Sequence, residues 1–227
     1  MTTKTPNLTL HFLQASRSIR IAWLLEELQL PYKNVFYPRE NNRAPAAFKE
    51  QSGNALGKAP VLRDGELVVV ESGAITEYLL ETYAPSSPLL GGSSAAQRTR
   101  IRSFVHAAEG TFMPHALAII YARWNATENM KQNGDLEEME QGLYVNVVKD
   151  LEWIEGELEG RRFLAGEGEG RVTAADTMCA LSVQFILARG LGGKIEPGRF
   201  KNIERWLKSC DETESYKRAV EKTGHKL

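Results

Sequence analysis

Proline is distributed unevenly along this 227-residue chain. Seven of the nine prolines fall at or before Pro88, and the remaining two are Pro114 and Pro197. Proline lacks a backbone N–H and fixes its own φ angle, so it interrupts both helix interiors and central strands. A first part that is punctuated by proline, followed by a proline-poor remainder, therefore indicates two architectures within one chain.

A stretch of small residues marks the change between the two parts. Residues 84–88 read Ala-Pro-Ser-Ser-Pro, and two adjacent glycines follow soon after. Clusters of proline, serine and glycine are typical of loops. We therefore predict a first domain at 1–85, a linker at 86–92 and a second domain at 93–227.

The first part alternates strands with helices. Leu8, Leu10 and Phe12 alternate with polar residues, which is the period of a half-buried strand. Apolar residues from Ile21 to Leu28 then follow the i, i+3, i+4, i+7 spacing of a helix. An order of strand, helix, strand and then strand, strand, helix is typical of a small mixed sheet covered by helices. The other predicted elements are strands at 32–37, 60–62 and 67–70, a turn at 63–66, and a helix that carries Ile75, Tyr78 and Leu79.

The second part shows only helical periodicity. One long helix is predicted over about 95–124, with a kink at Pro114, because proline removes a hydrogen bond and crowds the preceding turn. The polar residues 125–135 predict a loop. The residues expected to face inward from the long helix are Phe104, Ala108, Phe112 and Tyr121.

Charge and hydropathy narrow the classes of partner. Lys and Arg total 28 against 29 for Asp and Glu, and the formal net charge is −1. Proteins that bind nucleic acid usually carry a basic excess or a basic stripe, so we expect no nucleic-acid partner. No apolar run approaches the roughly 20 residues that cross a bilayer, and residues 1–7 lack the apolar core of a signal peptide. We therefore expect no membrane partner.

Cysteine and histidine usage argues against disulfide and metal chemistry. The two cysteines, Cys179 and Cys210, are too few for a disulfide framework or a cysteine-rich zinc site. The four histidines lack the spacing of metal ligands, so no metal site is expected. A dithiol oxidoreductase needs a cysteine at the start of the first helix, and no cysteine precedes Cys179. The expected setting is the reducing cytoplasm.

Residues 14–20 connect the first strand to the first helix and include Ser16 and Ser18. The first turn of a helix has unpaired N–H groups and the positive end of the helix dipole, so it favours anions. A hydroxyl at this position can donate a hydrogen bond to a bound anion. Alternatively, it serves only as the N-cap of the helix. The residues alone leave both interpretations open.

Two later junctions also carry candidate binding residues. Ser72 can cap the helix that follows it and leave backbone N–H groups for a carboxylate, while Glu71 beside it can bind an ammonium. This pair suits the head group of an amino acid, although the segment taken alone favours a capped helix with a solvated glutamate. Pro60 opens a strand and so belongs at a sheet edge or a turn. The Ala59–Pro60 bond can be cis, or the segment can be an ordinary strand start.

A capping box is predicted at Thr173-Ala174-Ala175-Asp176. We expect Asp176 to be nearly buried and hydrogen-bonded to backbone N–H groups. Its predicted role is therefore structural rather than catalytic.

These four segments, in this order and spacing, resemble the cytosolic glutathione transferases, in particular the microbial theta-like members. The resemblance extends from Leu8 to about Tyr216. It implies an α/β thioredoxin-like N-terminal domain followed by an all-α helical-bundle C-terminal domain. The stretches that carry it most clearly are 8–12, 16–28, 54–62, 71–72 and 173–176.

The same resemblance implies glutathione as co-substrate and no metal. Ser16 would be the catalytic residue, hydrogen-bonded to the glutathione sulfur, although Arg17 and Ser18 flank it and the sulfur contact among the three stays open. Glu71 and Ser72 would hold the γ-glutamyl end, and Lys58 would face the glycyl carboxylate. The implied glutathione-binding residues are Ser16, Arg17, Lys58, Ala59, Pro60, Glu71 and Ser72.

The second substrate would be a small hydrophobic electrophile. Phe112, Met113, Tyr121 and Trp124 are candidates for its pocket, or alternatively belong to the helical core. The resemblance implies a homodimer. The expected function is a glutathione transferase, with conjugation, hydroperoxide reduction and isomerisation left open. The alternative is a regulatory protein that binds glutathione on the same fold without transferase activity.

Overall fold

The computed structural model describes residues 5–90, 94–166 and 170–226. They form two compact units, of which the first takes in the described residues up to Thr99 and again from Cys210 onward, and the second runs from Arg100 to Ser209. The predicted boundaries assign the last stretch of the chain to the helical domain, whereas here it belongs with the first unit. Part of the predicted linker, at Gly91 and Gly92, lies outside the described residues.

The first unit is built on a four-stranded sheet with the strand order β2-β1-β3-β4. Strand β1 pairs in parallel with β2 and antiparallel with β3, which in turn pairs antiparallel with β4. This mixed sheet with helices packed on it confirms the predicted thioredoxin-like domain. The strands are β1 (Leu8–Leu13), β2 (Tyr32–Tyr37), β3 (Val61–Asp64) and β4 (Leu67–Val70).

Ten α-helices occur among the described residues. The sequence predicted the first and third of them, but not the second, which is only seven residues long. The helices are α1 (Ser18–Glu27), α2 (Ala46–Ser52), α3 (Ser72–Tyr83), α4 (Ala95–Ala107), α5 (Met113–Asn125), α6 (Glu128–Gln132), α7 (Asp135–Glu157), α8 (Ala174–Ala188), α9 (Lys201–Asp211) and α10 (Glu214–Thr223).

Helix α10 packs against helix α1 inside the first unit. The indole N–H of Trp23 donates to the hydroxyl of Ser215 over 3.0 Å, and the ring of Trp23 meets that of Tyr216 edge to face at 5.0 Å. Arg218 donates to the carboxylate of Glu26. The predicted assignment of this segment to the helical domain misses these contacts, because they join residues about 190 positions apart.

The second unit contains the long helix predicted around Pro114, in two α-helical parts. A π-helical turn at Ala108–Phe112 joins α4 to α5, and Pro114 is the second residue of α5. The wider π turn absorbs the distortion that a proline imposes on the preceding turn. Phe104, Ala108 and Phe112 are buried as predicted, but Tyr121 is half exposed, so its predicted inward orientation is wrong.

Two local predictions in the second unit have different outcomes. The predicted loop at 125–135 contains the short helix α6, which Thr127 caps by accepting a hydrogen bond from the N–H of Met130. The predicted capping box at the start of α8 is confirmed: Asp176 is fully buried and accepts from the backbone N–H groups of Thr173 and Leu164. Asp176 is thus a structural residue, as expected.

Candidate active site

The sheet brings three of the candidate segments to one edge. Val61, the first residue of β3, pairs with His11 on β1 and with Val70 on β4. The residues just beyond these three positions are therefore neighbours at the same end of the sheet. They are the turn that follows β1, the Ala59–Pro60 peptide, and the Glu71–Ser72 junction.

The turn after β1 holds Ser16. Ala15 adopts a φ of 45°, in the left-handed region that residues other than glycine seldom occupy. The Ser16 hydroxyl donates to the carbonyl of Leu13 over 2.6 Å and lies 3.0 Å from the hydroxyl of Ser18. It also accepts from the backbone N–H of Ser18 at 3.2 Å. The backbone N–H of Ser18, the first residue of α1, thus polarises the Ser16 hydroxyl.

The start of α1 differs from the predicted cap, because neither Ser16 nor Ser18 is the N-cap residue. The N-cap position is Arg17, and it makes no side-chain capping hydrogen bond. Ser18 is the first residue of the helix and is completely buried, whereas Ser16 and Arg17 are partly exposed. Of the three candidates for a sulfur contact, Ser16 and Arg17 are therefore the accessible ones.

The strand start at Pro60 has the geometry that the resemblance implies. The Ala59–Pro60 peptide bond is cis. The side-chain amide of Asn54 donates to the carbonyl of Lys58 over 2.7 Å, while its oxygen accepts from the N–H of Leu56 at 3.0 Å. Asn54 therefore shapes the loop that presents Lys58, which is exposed.

The third segment is the start of helix α3. Glu71 occupies the N-cap position with a φ of 71°, and Ser72 is the first helical residue rather than the cap. A positive φ at a glutamate is a strained conformation that clusters at functional sites. The buried hydroxyl of Ser72 accepts a hydrogen bond from the guanidinium of Arg20 over 3.1 Å. The hydroxyl is the acceptor in this bond, so its own O–H is not used in it.

Arg20 was missed by the sequence analysis. Its side chain is only 1% exposed, in the first turn of α1, and it joins that helix to the beginning of α3. The signal was present, because an arginine within the apolar stretch Ile19–Leu25 is unusual for a buried helix. Arg39 was also missed, and no sequence pattern marks it.

A hydrogen-bonded group of three polar side chains lies at this end of the sheet: His11 and Tyr37 are buried, and Gln51 is exposed. The Tyr37 hydroxyl donates to Gln51 over 3.0 Å, and His11 Nδ1 lies 2.9 Å from the same hydroxyl. Burial, and to a lesser extent the charges of Arg63 and Lys33, lower the pKa of His11. Burial raises the pKa of Tyr37. Both side chains are therefore held neutral.

The four candidates for an electrophile pocket do not form one cluster. Phe112 and Met113 are buried in the second unit, where Phe112 packs 5.7 Å from the ring of Trp153. Tyr121 and Trp124 are exposed and pack against each other with ring centroids 5.7 Å apart. Phe112 and Met113 thus have the environment of core residues, and Tyr121 and Trp124 form an exposed aromatic pair.

Metal and membrane features can be stated for the part of the chain that the structure describes. Within it, no three histidine, cysteine, aspartate or glutamate side chains are grouped as metal ligands. None of the helices in the described ranges is long and apolar enough to span a bilayer.

Comparisons with known proteins agree with this architecture. The N-terminal domain of glutathione S-transferases matches residues 8–81. Glutathione S-transferase 3 of Schizosaccharomyces pombe is 30% identical over 226 residues, which cover 95% of this chain and 87% of that protein. Glutathione S-transferase 1 of Saccharomyces cerevisiae is 27% identical, over 96% of this chain and 95% of that protein.

Solved structures give the same result for the fold. A glutathione S-transferase from Actinobacillus pleuropneumoniae superposes with a TM-score of 0.80 at 29% identity, over 97% of this chain and 94% of that one. Ure2p in complex with glutathione superposes with a TM-score of 0.73 at 20% identity, over 95% and 97% of the two chains. Fold and candidate site together define a protein of the thioredoxin-like and helical two-domain class. The chain belongs to the glutathione S-transferase family.

Proposed function

We propose that this chain is a glutathione transferase that holds the glutathione thiol as its thiolate for attack on small hydrophobic electrophiles. The observation that carries the proposal is the register at Val61, which gathers Ser16, the cis-Pro60 segment and the Glu71–Ser72 junction at one sheet edge. Membership of the family supports it. We further propose that it is of the microbial theta-like type and acts in the cytoplasm, in detoxification.

The start of α3 suits the γ-glutamyl end of glutathione. The Ser72 O–H and the open N–H groups of the first helical turn are donors for a carboxylate. The Glu71 side chain supplies the opposite charge for the ammonium group. Arg20, hydrogen-bonded to Ser72, fixes the direction in which that hydroxyl points.

The middle and the glycyl end would bind along the strand start. The backbone of Ala59, next to the cis bond at Pro60, offers an edge that can pair with the cysteinyl residue of the tripeptide. Lys58 is exposed, and its ammonium can face the glycyl carboxylate. Arg17, partly exposed at the N-cap of α1, adds a second positive charge near the site.

The chemical step that the protein assists is ionisation of the thiol. A free thiol has a pKa of about 8.5, so little thiolate is present at neutral pH. Each unit of pKa depression requires about 1.4 kcal/mol of differential stabilisation. A hydroxyl donor to the anion contributes roughly 1.5–3 kcal/mol and a helix N-terminus roughly 0.3–1 kcal/mol. Ser16 thus acts as a hydrogen-bond donor, after its proton turns away from the Leu13 carbonyl.

The test measures activity and binding together. The purified chain is assayed for conjugation of glutathione to a chlorinated nitroaromatic compound and for reduction of an organic hydroperoxide, and its retention on glutathione resin is measured in parallel. Turnover in either assay is the expected result. Retention without turnover in either assay would favour the regulatory, glutathione-binding alternative, and loss of both would overturn the proposal.

We also propose that the chain is a homodimer, as the resemblance implies. Light scattering coupled to size-exclusion chromatography should give about twice the 25.3 kDa of the single chain. A mass equal to one chain at assay concentration would contradict this. Tyr121 and Trp124, which are exposed, remain the proposed contacts for the electrophile, and their replacement by alanine would change the preference among electrophiles.

A further inference from the structure

Arg39 lies just beyond strand β2 and makes hydrogen bonds to the turn that carries Ser16. Its backbone N–H donates to the side-chain oxygen of Gln14 over 2.9 Å. Its Nε donates to the carbonyl of Gln14, also over 2.9 Å. A terminal nitrogen of the guanidinium lies 3.4 Å from the carbonyl of Ala15, within hydrogen-bonding distance. One residue therefore contacts both positions that immediately precede Ser16.

The same side chain closes its own loop. The other terminal nitrogen of Arg39 donates to the carbonyl of Asn42 over 3.2 Å. Asn41 and Asn42 both adopt a positive φ, so this loop turns back sharply on itself. The Arg39 guanidinium thus joins the turn after β1 to the loop after β2. Both segments lie beyond Leu13 and Tyr37, the last paired residues of the two strands.

The turn after β1 needs such a support. Ala15 is in the left-handed region, and this conformation costs of order 1–3 kcal/mol for a residue other than glycine. Such a conformation persists only where surrounding contacts determine it. The carbonyl of Ala15 faces the Arg39 guanidinium, and the next residue is Ser16. A change in the φ and ψ angles of Ala15 would move the Ser16 hydroxyl directly.

Arg39 also brings a positive charge to the turn that carries Ser16. Burial and the neighbouring charge of Arg17 lower the pKa of Arg39, which shows that two cations lie near one another beside this turn. Arginine stays protonated at any physiological pH. Because its hydrogen-bonding groups are directed at carbonyl oxygens, its role is to hold the backbone.

We propose that Arg39 is a positioning residue for the glutathione thiolate, acting through the turn that holds Ser16. The inference rests on the proposed function in that it concerns the same thiol site. A planar guanidinium with several fixed donors can engage the carbonyls of Gln14, Ala15 and Asn42 together, and a lysine ammonium cannot reproduce this geometry.

The experiment compares Arg39→Gln and Arg39→Lys with Arg43→Gln. Arg43 is an exposed residue of the same loop, so its variant removes the same charge without removing the contacts to Gln14 and Ala15. Four quantities are measured on each folded protein: the pKa of bound glutathione by ultraviolet absorbance titration, kcat and KM for conjugation, and the rate of amide hydrogen exchange over residues 14–18. Thermal unfolding is recorded first, and all measurements are made below the transition of the least stable variant.

In Arg39→Gln we expect the pKa of the bound thiol to rise by about one unit, with kcat at neutral pH reduced about tenfold and KM for glutathione changed less than threefold. Amide exchange over residues 14–18 should accelerate at least tenfold. Arg39→Lys should fall between Arg39→Gln and the wild type, and Arg43→Gln should match the wild type in all four quantities.

The outcomes separate this inference from the proposed function. A wild type that binds glutathione without turnover refutes the transferase proposal, while the thiol titration and the exchange rates still decide the role of Arg39. An unchanged thiol pKa in Arg39→Gln overturns the inference even if the wild type is active. Equal effects of Arg39→Gln and Arg43→Gln also overturn it, because they would indicate a general effect of charge.

Discussion

Single side chains in this protein have roles that depend on which of their atoms is already engaged. The Ser16 hydroxyl donates a hydrogen bond to the Leu13 carbonyl. The Ser72 hydroxyl instead accepts a hydrogen bond from Arg20, and its own O–H is not used in that bond. Both serines lie at the start of a helix, Ser16 just before α1 and Ser72 as the first residue of α3. They nevertheless differ as hydrogen-bond donors. Ser72 is ready to bind an anion, and Ser16 must first reorient.

The role of Ser16 is tested by Ser16→Ala. We expect kcat for conjugation to fall about 10- to 100-fold, which is the value of one hydrogen bond to a charged group, with a much smaller change in KM for glutathione. Steady-state kinetics across a range of glutathione concentrations measures both constants.

Ser18→Ala is the matched control for Ser16→Ala, since it removes the neighbouring hydroxyl, which is buried, and retains Ser16. A larger loss of turnover in Ser18→Ala than in Ser16→Ala would show that the sulfur contact has been assigned to the wrong serine.

His225 gives a second prediction at this scale. Burial against Phe12, whose ring is 6.2 Å away, lowers the pKa of His225 to about 4. The unfolded chain has the ordinary value of about 6.5, so between these pH values it binds a proton that the folded protein does not. The free energy of unfolding should therefore fall as the pH decreases, by about 2 kcal/mol between pH 7 and pH 5 from this residue, and His11 adds to the fall in the same direction.

Urea denaturation at both pH values measures this difference. In His225→Phe the pH-dependent loss should be smaller by about 2 kcal/mol. The same loss in His225→Phe and the wild type would show that His225 is not held neutral.

At the scale of elements, the start of helix α8 carries a buried polar network. In the first turn of helix α8, Asp176 accepts hydrogen bonds from two backbone N–H groups and from the indole N–H of Trp206. Burial raises the pKa of Asp176 to about 6, and these donors oppose the increase. The sequence predicted this cap, because a capping box depends on residues only three positions apart.

Replacing Asp176 by alanine should cost about 3–5 kcal/mol of stability, since it leaves three buried donors without their acceptor. Asp176→Asn keeps one acceptor oxygen and should cost less. Denaturant titration measures both values, with Asp135→Ala, at an exposed aspartate in the first turn of α7, as the control. A loss below about 1 kcal/mol for Asp176→Ala would contradict a supporting role for this carboxylate.

At the scale of the whole molecule, the described units are not two successive segments of the chain. Helix α10 belongs with the sheet-bearing unit, where Trp23 is 1% exposed beneath it. A chain that ends after Asp211 should therefore lose about 3 kcal/mol or more of unfolding free energy, because the large apolar side chains on α1 become exposed.

Ser215→Ala provides the comparison for this truncation. It removes the hydrogen bond that Ser215 accepts from Trp23 and the one that it donates to Glu27, and should cost about 1–2 kcal/mol. Both variants are compared with the full chain by denaturant titration followed by tryptophan fluorescence. A truncated chain as stable as the full chain would show that α10 contributes nothing to the first unit.

The sequence by itself determined the elements whose signals are local: β1 to β4, helices α1 and α3, the interruption at Pro114 and the cap at Asp176. It also pointed to the family and to Ser16, Pro60, Glu71 and Ser72 as residues of interest. It did not show α2 or α6, since helices of seven and five residues are too short for a clear periodicity.

Tertiary structure alone decided which atoms meet. The contact of Arg20 with Ser72 spans 52 positions, that of Arg39 with Gln14 spans 25, and that of Trp23 with Ser215 spans 192. The pairing of Val61 with both β1 and β4, and the engagement of the Ser16 hydroxyl, likewise arise only when the sheet has formed. The physical reason is that periodicity and capping report on neighbours within a turn or two of the chain, whereas the direction of a hydrogen bond depends on groups that folding brings together from distant positions.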